Sequence, residues 1–444
     1  MPDLNDELRH LADEASRQAQ PLPVADVIRQ GDRRHRPAVT WWPPRRARTP
    51  GLATQARPGR RWPGRVAPLA AAAAVIAVVA GTAAVSSAIH GGRAAAGAGP
   101  AHRAIAYVVN SGSGTVTPIR TATNTALPPI TTGDNSDTIA ITPDGKTAYV
   151  ANYLYHRGTV TPIRTATNTA LPPVKTGRSP AAIAITPDGK TAYVANFDSG
   201  TVTPIRTATN APLPPIRTGR LPVVIAITPD GKTAYVANNG SGTVTPIRTA
   251  TNTPLAPIRT GPHPDDIAIT PDGETAYVAN DVHAGTVTPI RIASNTPLPP
   301  IKTGHDSAAI AITPDGRTAY VVNMGVYPIS PGTVTPIRIA TNTPLASIKL
   351  GAITADIAIT PDGKTAYVPN PGSGGVTPIR TATNTPLPPI KTGGPNAVAI
   401  TPDGKTAYVT NPESGTVTPI RIATNTPLPP IKTGLRPIAI AIAP

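Results

Sequence analysis

His263, Asp265, Asp266, Asp281, His283, His305 and Asp306 are the residues of this 444-residue chain that come nearest, by type and spacing, to doing chemistry. Imidazoles and carboxylates gathered from neighbouring loops can hold a divalent cation, or divide into an acid and a base. None of the fixed spacings of a metal-binding motif joins them, so solvated loop residues are the favoured reading and a metal is left open. No Ser-His-Asp arrangement, phosphate-cradling loop or supported carboxylate pair accompanies them. The chain has no cysteine, which removes thiolate ligands and thiol nucleophiles. No cofactor is expected, and no residue is assigned a catalytic role.

These residues sit in a unit that the chain repeats eight times. Residues 183–219 show it most plainly: IAITPDGKTAYVANFDSGTVTPIRTATNAPLPPIRTG. The tyrosine that opens each Tyr-Val step stands at Tyr107, Tyr149, Tyr193, Tyr235, Tyr277, Tyr320, Tyr367 and Tyr408, a mean period of 43 residues. That period, with short Thr/Val/Ile segments between Gly and Pro turns, predicts an all-β propeller of four-stranded blades. IAIT is the innermost strand, TAYVAN the second, GTVTPIR the third and PLPPIKTG the outermost, where proline suits an edge. Proline inside TVTPIR does not suit a strand paired on both sides, so a bulge or weakened ladder is expected there. The repeats begin on a second strand at Ala104 and end on a first strand at Ile438–Ile442. Joining the two closes eight blades without a disulfide and hides the open edges. With aromatics at 3% of the chain, the core should be Ala, Val and Ile.

Eight Tyr-Val-x-Asn steps, one of them literally Tyr408-Val409-Thr410-Asn411, and seven Pro-Asp-Gly turns make residues 104–444 resemble the YVTN-family β-propellers. The resemblance implies a closed ring, often of seven blades, which is the alternative count. It implies kinship in shape with exported and surface-layer proteins, lactonases and cofactor-bearing oxidoreductases, but no transferable activity. The family's usual acidic residue after the third strand is arginine here: Arg120, Arg164, Arg206, Arg248, Arg291, Arg338, Arg380 and Arg421.

In such a meander alternate turns share a face. The Pro-Asp-Gly and TATNT turns, nearly identical in every copy, fall on one. The second-to-third loops and blade-to-blade connections fall on the other, where the copies differ; repeat folds usually bind there. Arg178, Arg220, Met324 and Tyr327 are candidate binding-face residues, the last two in the longest insert, 324–331. The asparagines that end the second strands should make Asx turns. The eight arginines should pair with Pro-Asp-Gly aspartates, as Arg206 with Asp188.

Ahead of the repeats lies a different composition. Asp3–Ala15 has Leu4, Leu8, Leu11 and Ala15 at helical spacing, and residues 33–65 are an Arg/Pro-rich, acid-free tether. Residues 66–89 are uncharged and would span about 36 Å as a helix, enough for a hydrocarbon core of about 30 Å. Seven arginines at 45–65 precede this span and only Arg93 and Arg103 follow it before the repeats. The expected topology is therefore single-pass, with a cytoplasmic N-terminus and an extracytoplasmic propeller on a 90–103 stalk; cleavage and secretion is the alternative. Half of the net charge of +16 lies in the repeats, where basic residues recur copy by copy without stacking aromatics, which reads as a solvated basic belt and not a nucleic-acid surface. The expected function is a membrane-anchored binding or scaffolding module for an unidentified protein or small molecule. A lactonase- or oxidoreductase-type propeller enzyme, or a sensor signalling through the N-terminal helix, are the alternatives.

Overall fold

The computed structural model describes residues 104–153, 158–282, 285–325, 331–350 and 356–443. The expected N-terminal helix, tether, membrane span and stalk lie outside them; among the described residues no helix is long and apolar enough to cross a membrane.

Eight antiparallel sheets follow the repeat. Blades 2 to 8 occupy 136–175, 180–217, 222–259, 264–302, 307–349, 358–391 and 398–432. Blade 1 is made from both ends of the region: Ile105–Asn110 pairs with Thr115–Arg120 on one side and with the C-terminal strand Pro437–Ile442 on the other. The inner strands neighbour one another in a closed cycle, that of blade 8 meeting Pro437–Ile442 and that strand meeting blade 2. The eight-bladed count and the terminal latch both hold.

Each second strand is buried along its length, as Thr191–Asn196 shows, with no alternation between wet and dry faces. The reason is that both faces of a blade pack on neighbours. Tyr193, Ala195 and Val202 of blade 3 press on Ile225, Ala234, Val236 and Ile247 of blade 4. The same contact closes the ring, where Tyr408 and Val417 meet Val108, Ile119 and Ile440. Small aliphatics fill these interfaces as expected, but the eight tyrosines are among the largest fully buried side chains. An expectation of a purely aliphatic core is corrected accordingly.

The tyrosines also carry a polar link that the repeat pattern did not suggest. Tyr193 Oη donates to Asn252 Oδ1 at 2.6 Å, in the third-to-fourth turn of the next blade. Tyr107, Tyr149, Tyr235, Tyr277, Tyr320 and Tyr367 each repeat the bond, and Tyr408 completes the circle by donating to Asn124 at 2.6 Å. Every accepting asparagine is left-handed, Asn252 at φ 55°, a conformation asparagine tolerates better than most residues. Burial, and secondarily the Asp188 carboxylate, pushes the Tyr193 phenol up to about 12, so it stays a donor. Tyr193→Phe should cost about 1 kcal/mol, the usual net worth of such a bond, measured by urea unfolding. A variant as stable as the parent would show that the link contributes nothing.

Proline within the third strand disturbs the ladder on one side only. Tyr193 faces Pro204 with no register shift. The Pro204 carbonyl accepts Leu213 N–H at 2.8 Å from the outermost strand, so its missing donor also lies on that outer side. There the outermost strand is split into Ala211–Pro212 and Ile216–Arg217, and each fourth strand is two short pieces. The true bulge falls elsewhere, in the inner strands, between Pro180 and Ala182 and at the equivalent place in blades 2, 4, 5 and 6.

Candidate functional site

The two families of turns separate as expected. On the uniform face, Thr207 Oγ1 donates to the Gly189 carbonyl at 2.6 Å, tying the TATNT turn to Pro-Asp-Gly. Asp188 Oδ1 accepts from Thr186 Oγ1 at 2.6 Å and from Lys190 N–H at 3.0 Å. Although burial opposes it, these bonds lower the Asp188 pKa. The Asp188 ion partner is Lys190 at 3.5 Å, and Asp144, Asp230, Asp362 and Asp403 likewise take the lysine two residues on. The expected Arg206–Asp188 pair gives way to this local one, because a neighbour within the same turn is reached at less entropic cost.

The opposite face is built from the second-to-third loops and the connections, stitched by backbone bonds: Phe197 N–H to Ser179 O at 2.9 Å, Asn239 to Leu221 at 2.9 Å, Asp281 to His263 at 2.8 Å. The connection residue in each pair is left-handed, Ser179, Leu221 and His263 at φ 54°, 52° and 51°. Beneath them lie the asparagines that end the second strands. Asn196 is fully buried; its Nδ2 donates to Thr203 Oγ1 at 2.9 Å and its Oδ1 accepts from Gly177 N–H at 3.1 Å. It makes no side-chain bond into the turn that follows. Asn196 thus ties a connection to the third strand instead of forming an Asx turn. At the closure Gly434 N–H donates to Asn110 Oδ1 at 3.1 Å in the same way.

The face opens into a groove of ≈ 720 Å³ beside the blade 3–4 connection. Phe197 and Leu221 supply its apolar lining, Arg217 and Arg220 its cations, and Gly200, Thr218 and Gly219 its small residues. Arg178 stands next to it, donating from Nη2 to the Asp198 carbonyl at 3.2 Å. The backbones of both candidate arginines are fixed by serines of the neighbouring loops: Arg178 N–H to Ser199 Oγ at 2.7 Å, Arg220 N–H to Ser241 Oγ at 2.6 Å. A methyl added at Gly219 would come within 2.7 Å of the Asn238 side chain. Phe197 and Arg217 were not singled out from the sequence. Phe197 is the chain's sole phenylalanine, which was a usable signal; Arg217 belongs to a repeated position and gave none.

The described His/Asp candidates are divided between exposed loops and a buried strand, with Asp281 near enough for its charge to act on Asp265. His263 is exposed, with Nδ1 3.2 Å from Asn239 Oδ1 of blade 4. His305 is exposed, and its carbonyl accepts Gly325 N–H at 3.3 Å. Asp306 is joined by its backbone to Val282 and to Met324. His283 and Tyr327 lie outside the described residues. Among the described residues no three His, Asp or Glu side chains are placed to hold a metal.

Asp265 and Asp266 are corrected from loop to strand. They belong to the inner strand Pro264–Ile269 and are 1% and 0% exposed. Asp266 bridges two blades at the axis: its carboxylate accepts Ile267 N–H at 2.7 Å and, from blade 6, Ile310 N–H at 2.9 Å. Asp356 does the same between blades 7 and 8, accepting Ile357 at 2.8 Å and Val398 at 3.1 Å. Asn396 Nδ2 then reaches the Ile438 carbonyl at 3.0 Å. These groups cap inner-strand edges that have no further strand to pair with. Burial pushes Asp266 up to about 7 despite its two N–H donors. Asp265, with Oδ1 enclosed and unbonded, is raised well above the carboxylate range by burial and then by the Asp281 and Asp266 charges. Asp137, in the equivalent strand of blade 2, is pushed up to about 7 by burial, with Arg436 pulling the other way.

No protein-family model and no curated protein matches the chain. Solved structures do. A hydrazine synthase structure from Kuenenia stuttgartiensis is 27% identical over 64% of this chain and 95% of that one, with a TM-score of 0.55. Dihydro-heme d1 dehydrogenase NirN is 17% identical over 79% and 76%, at 0.65. A putative 6-phosphogluconolactonase from Bacteroides fragilis is 19% identical over 78% and 100%, at 0.53. At these identities the last two speak for architecture alone. The chain is an eight-bladed β-propeller.

Proposed function

We propose that the propeller is a binding module that engages its ligand through the face of unlike loops, held outside the membrane by the 66–89 span. The observation that carries this is the groove at Phe197, Arg217 and Arg220, which opens on the face where the copies differ. The opposite face repeats one set of turn bonds around the ring, and such uniformity offers no single point of recognition. The Tyr-Val-x-Asn repeat supports kinship with YVTN-type propellers, and the arginines before residue 66 support the topology. An enzyme of lactonase or oxidoreductase type would need acid–base groups open to substrate. The axial carboxylates Asp265, Asp266 and Asp356 are enclosed, so binding is the reading favoured.

A photo-reactive amino acid installed at Leu221, and separately at Lys190 on the uniform face, tests this in cells. Saturable adducts are expected from position 221 and not from 190. Adducts from 190 alone, or equal labelling at both, would remove the reading.

A further inference from the structure

We infer that the groove takes an anionic group carried on a ring: a carboxylate or phosphate facing Arg217 and Arg220, with the ring against Phe197. The inference rests on the binding-face reading and adds the class of ligand. Three features carry it. The first is charge: two exposed guanidinium groups line the groove, a third, Arg178, stands at its edge, and Asp198 is the acidic residue of the lining. Asp198 is engaged locally, accepting from Ser179 Oγ through its carboxylate and from Arg178 through its carbonyl. Guanidinium groups meet carboxylate and phosphate oxygens through paired N–H donors, a stronger contact than a neutral hydrogen bond.

The second feature is fixed placement. Arg220 is anchored by its N–H to Ser241, and Arg217 lies in the ladder opposite Thr201. Both cations therefore project from hydrogen-bonded backbone, which lowers the ordering cost of binding. The third is shape and apolarity. Gly200, Gly219 and Thr218 line the groove with small residues, and close packing holds both glycines: an added Cβ would meet the Asn238 side chain at 2.7 Å from Gly219 and the Gly219 carbonyl at 3.2 Å from Gly200. Phe197 packs by part of its ring on the blade 4 core and meets the groove with the rest. A volume of ≈ 720 Å³ suits a small molecule and not a single inorganic ion.

The test is calorimetric titration of the full chain with phenyl phosphate and with benzoate, phenol serving as the uncharged control. Saturable binding of at least one anion is expected, with phenol inert; which anion binds decides between phosphate and carboxylate. Arg217→Ala and Arg220→Ala should each weaken it about tenfold or more, without changing the melting temperature. Phe197→Leu, which keeps apolar bulk, should weaken it less. Arg259→Ala removes the cation at the Arg217 register in blade 4, outside the groove, and should leave binding unchanged. The inference is overturned if neither anion binds saturably or if phenol binds as well. It is equally overturned if Arg259→Ala matches Arg217→Ala, which would reduce the effect to diffuse attraction by the basic belt. Persisting cross-links at position 221 alongside a failed titration would remove the ligand class while leaving the binding face intact.

Discussion

Deleting Pro437–Ala443 should abolish cooperative folding of the propeller. The segment supplies the inner strand of blade 1, and its side chains serve two interfaces at once. Ile440 and Ile442 pack against blade 8, while Ala439 and Ala441 pack against blade 2. Ile438, Ile440 and Ile442 are each at most 5% exposed. Exposing three such isoleucines forfeits roughly 5–9 kcal/mol of burial, against a total stability of about 5–15 kcal/mol for a typical domain. The loss also uncovers the ladder edge of Ile105–Asn110, an invitation to aggregate. Circular dichroism melting and limited proteolysis check it: the parent should show one cooperative transition, the truncated chain none. A truncated ring that melts and resists protease like the parent would mean that the latch is not what closes the fold. Tyr408→Phe is the graded companion, since it breaks one closing bond and leaves the strand in place.

The second large effect concerns pH. Asp137 and Asp266 both lie at about 7 in the folded ring, against an ordinary value of 3.8, and Asp265 moves in the same direction. A carboxyl raised on folding binds its proton more tightly in the native state. Its contribution is therefore fully present below the unfolded value and is lost as pH rises through the folded one. Stability should fall between about pH 4 and pH 7 as Asp137 and Asp266 lose their protons, and at 1.36 kcal/mol per pH unit the loss is on the order of several kcal/mol. Asp144, Asp188, Asp230, Asp315, Asp362 and Asp403 of the Pro-Asp-Gly turns are lowered and act with the opposite sign, but they are about half exposed and count for little. Melting temperatures across this range test the slope. Asp265→Asn removes a carboxyl whose charged form burial disfavours and whose Oδ1 has no partner, so it should flatten the profile. A parent that is more stable at pH 8 than at pH 5, or a variant with an undiminished slope, would contradict the assignment. Asp266→Asn is the poorer probe, because an amide can accept from only one of the Ile267 and Ile310 donors that the carboxylate now serves.

Asp265, Asp266 and Asp188 show why some of this was hidden in the sequence. Asp265 and Asp266 read as loop residues because they precede the apolar Ile267-Ala268-Ile269. The inner strand in fact begins at Pro264, and a register shift between Pro264 and Asp266 lets the extra residue through while the ladder with Thr275–Asn280 continues. Nothing local in a sequence signals a one-residue bulge. Asp188 posed the reverse problem: two cations were in reach on paper, and the shorter chain closure to Lys190 decided between them.

The sequence by itself determined the blade, the number of blades, the latch and the division into a uniform and a variable face. Those properties follow from order along the chain: apolar segments bounded by turn residues, a period near 43, and termini that each lack what the other supplies. What only the tertiary structure decided are the links across blades. Tyr193 and Asn252 are 59 residues apart, Asp266 and Ile310 are 44 apart, and the groove draws Phe197, Arg217 and Ser241 from separate segments. Such meetings depend on how far one blade rotates against the next, an angle set by Tyr, Val and Ala packing across the interface. A repeated sequence states that the blades are alike; side-chain volumes in the closed ring settle which atoms of unlike residues come within bonding distance.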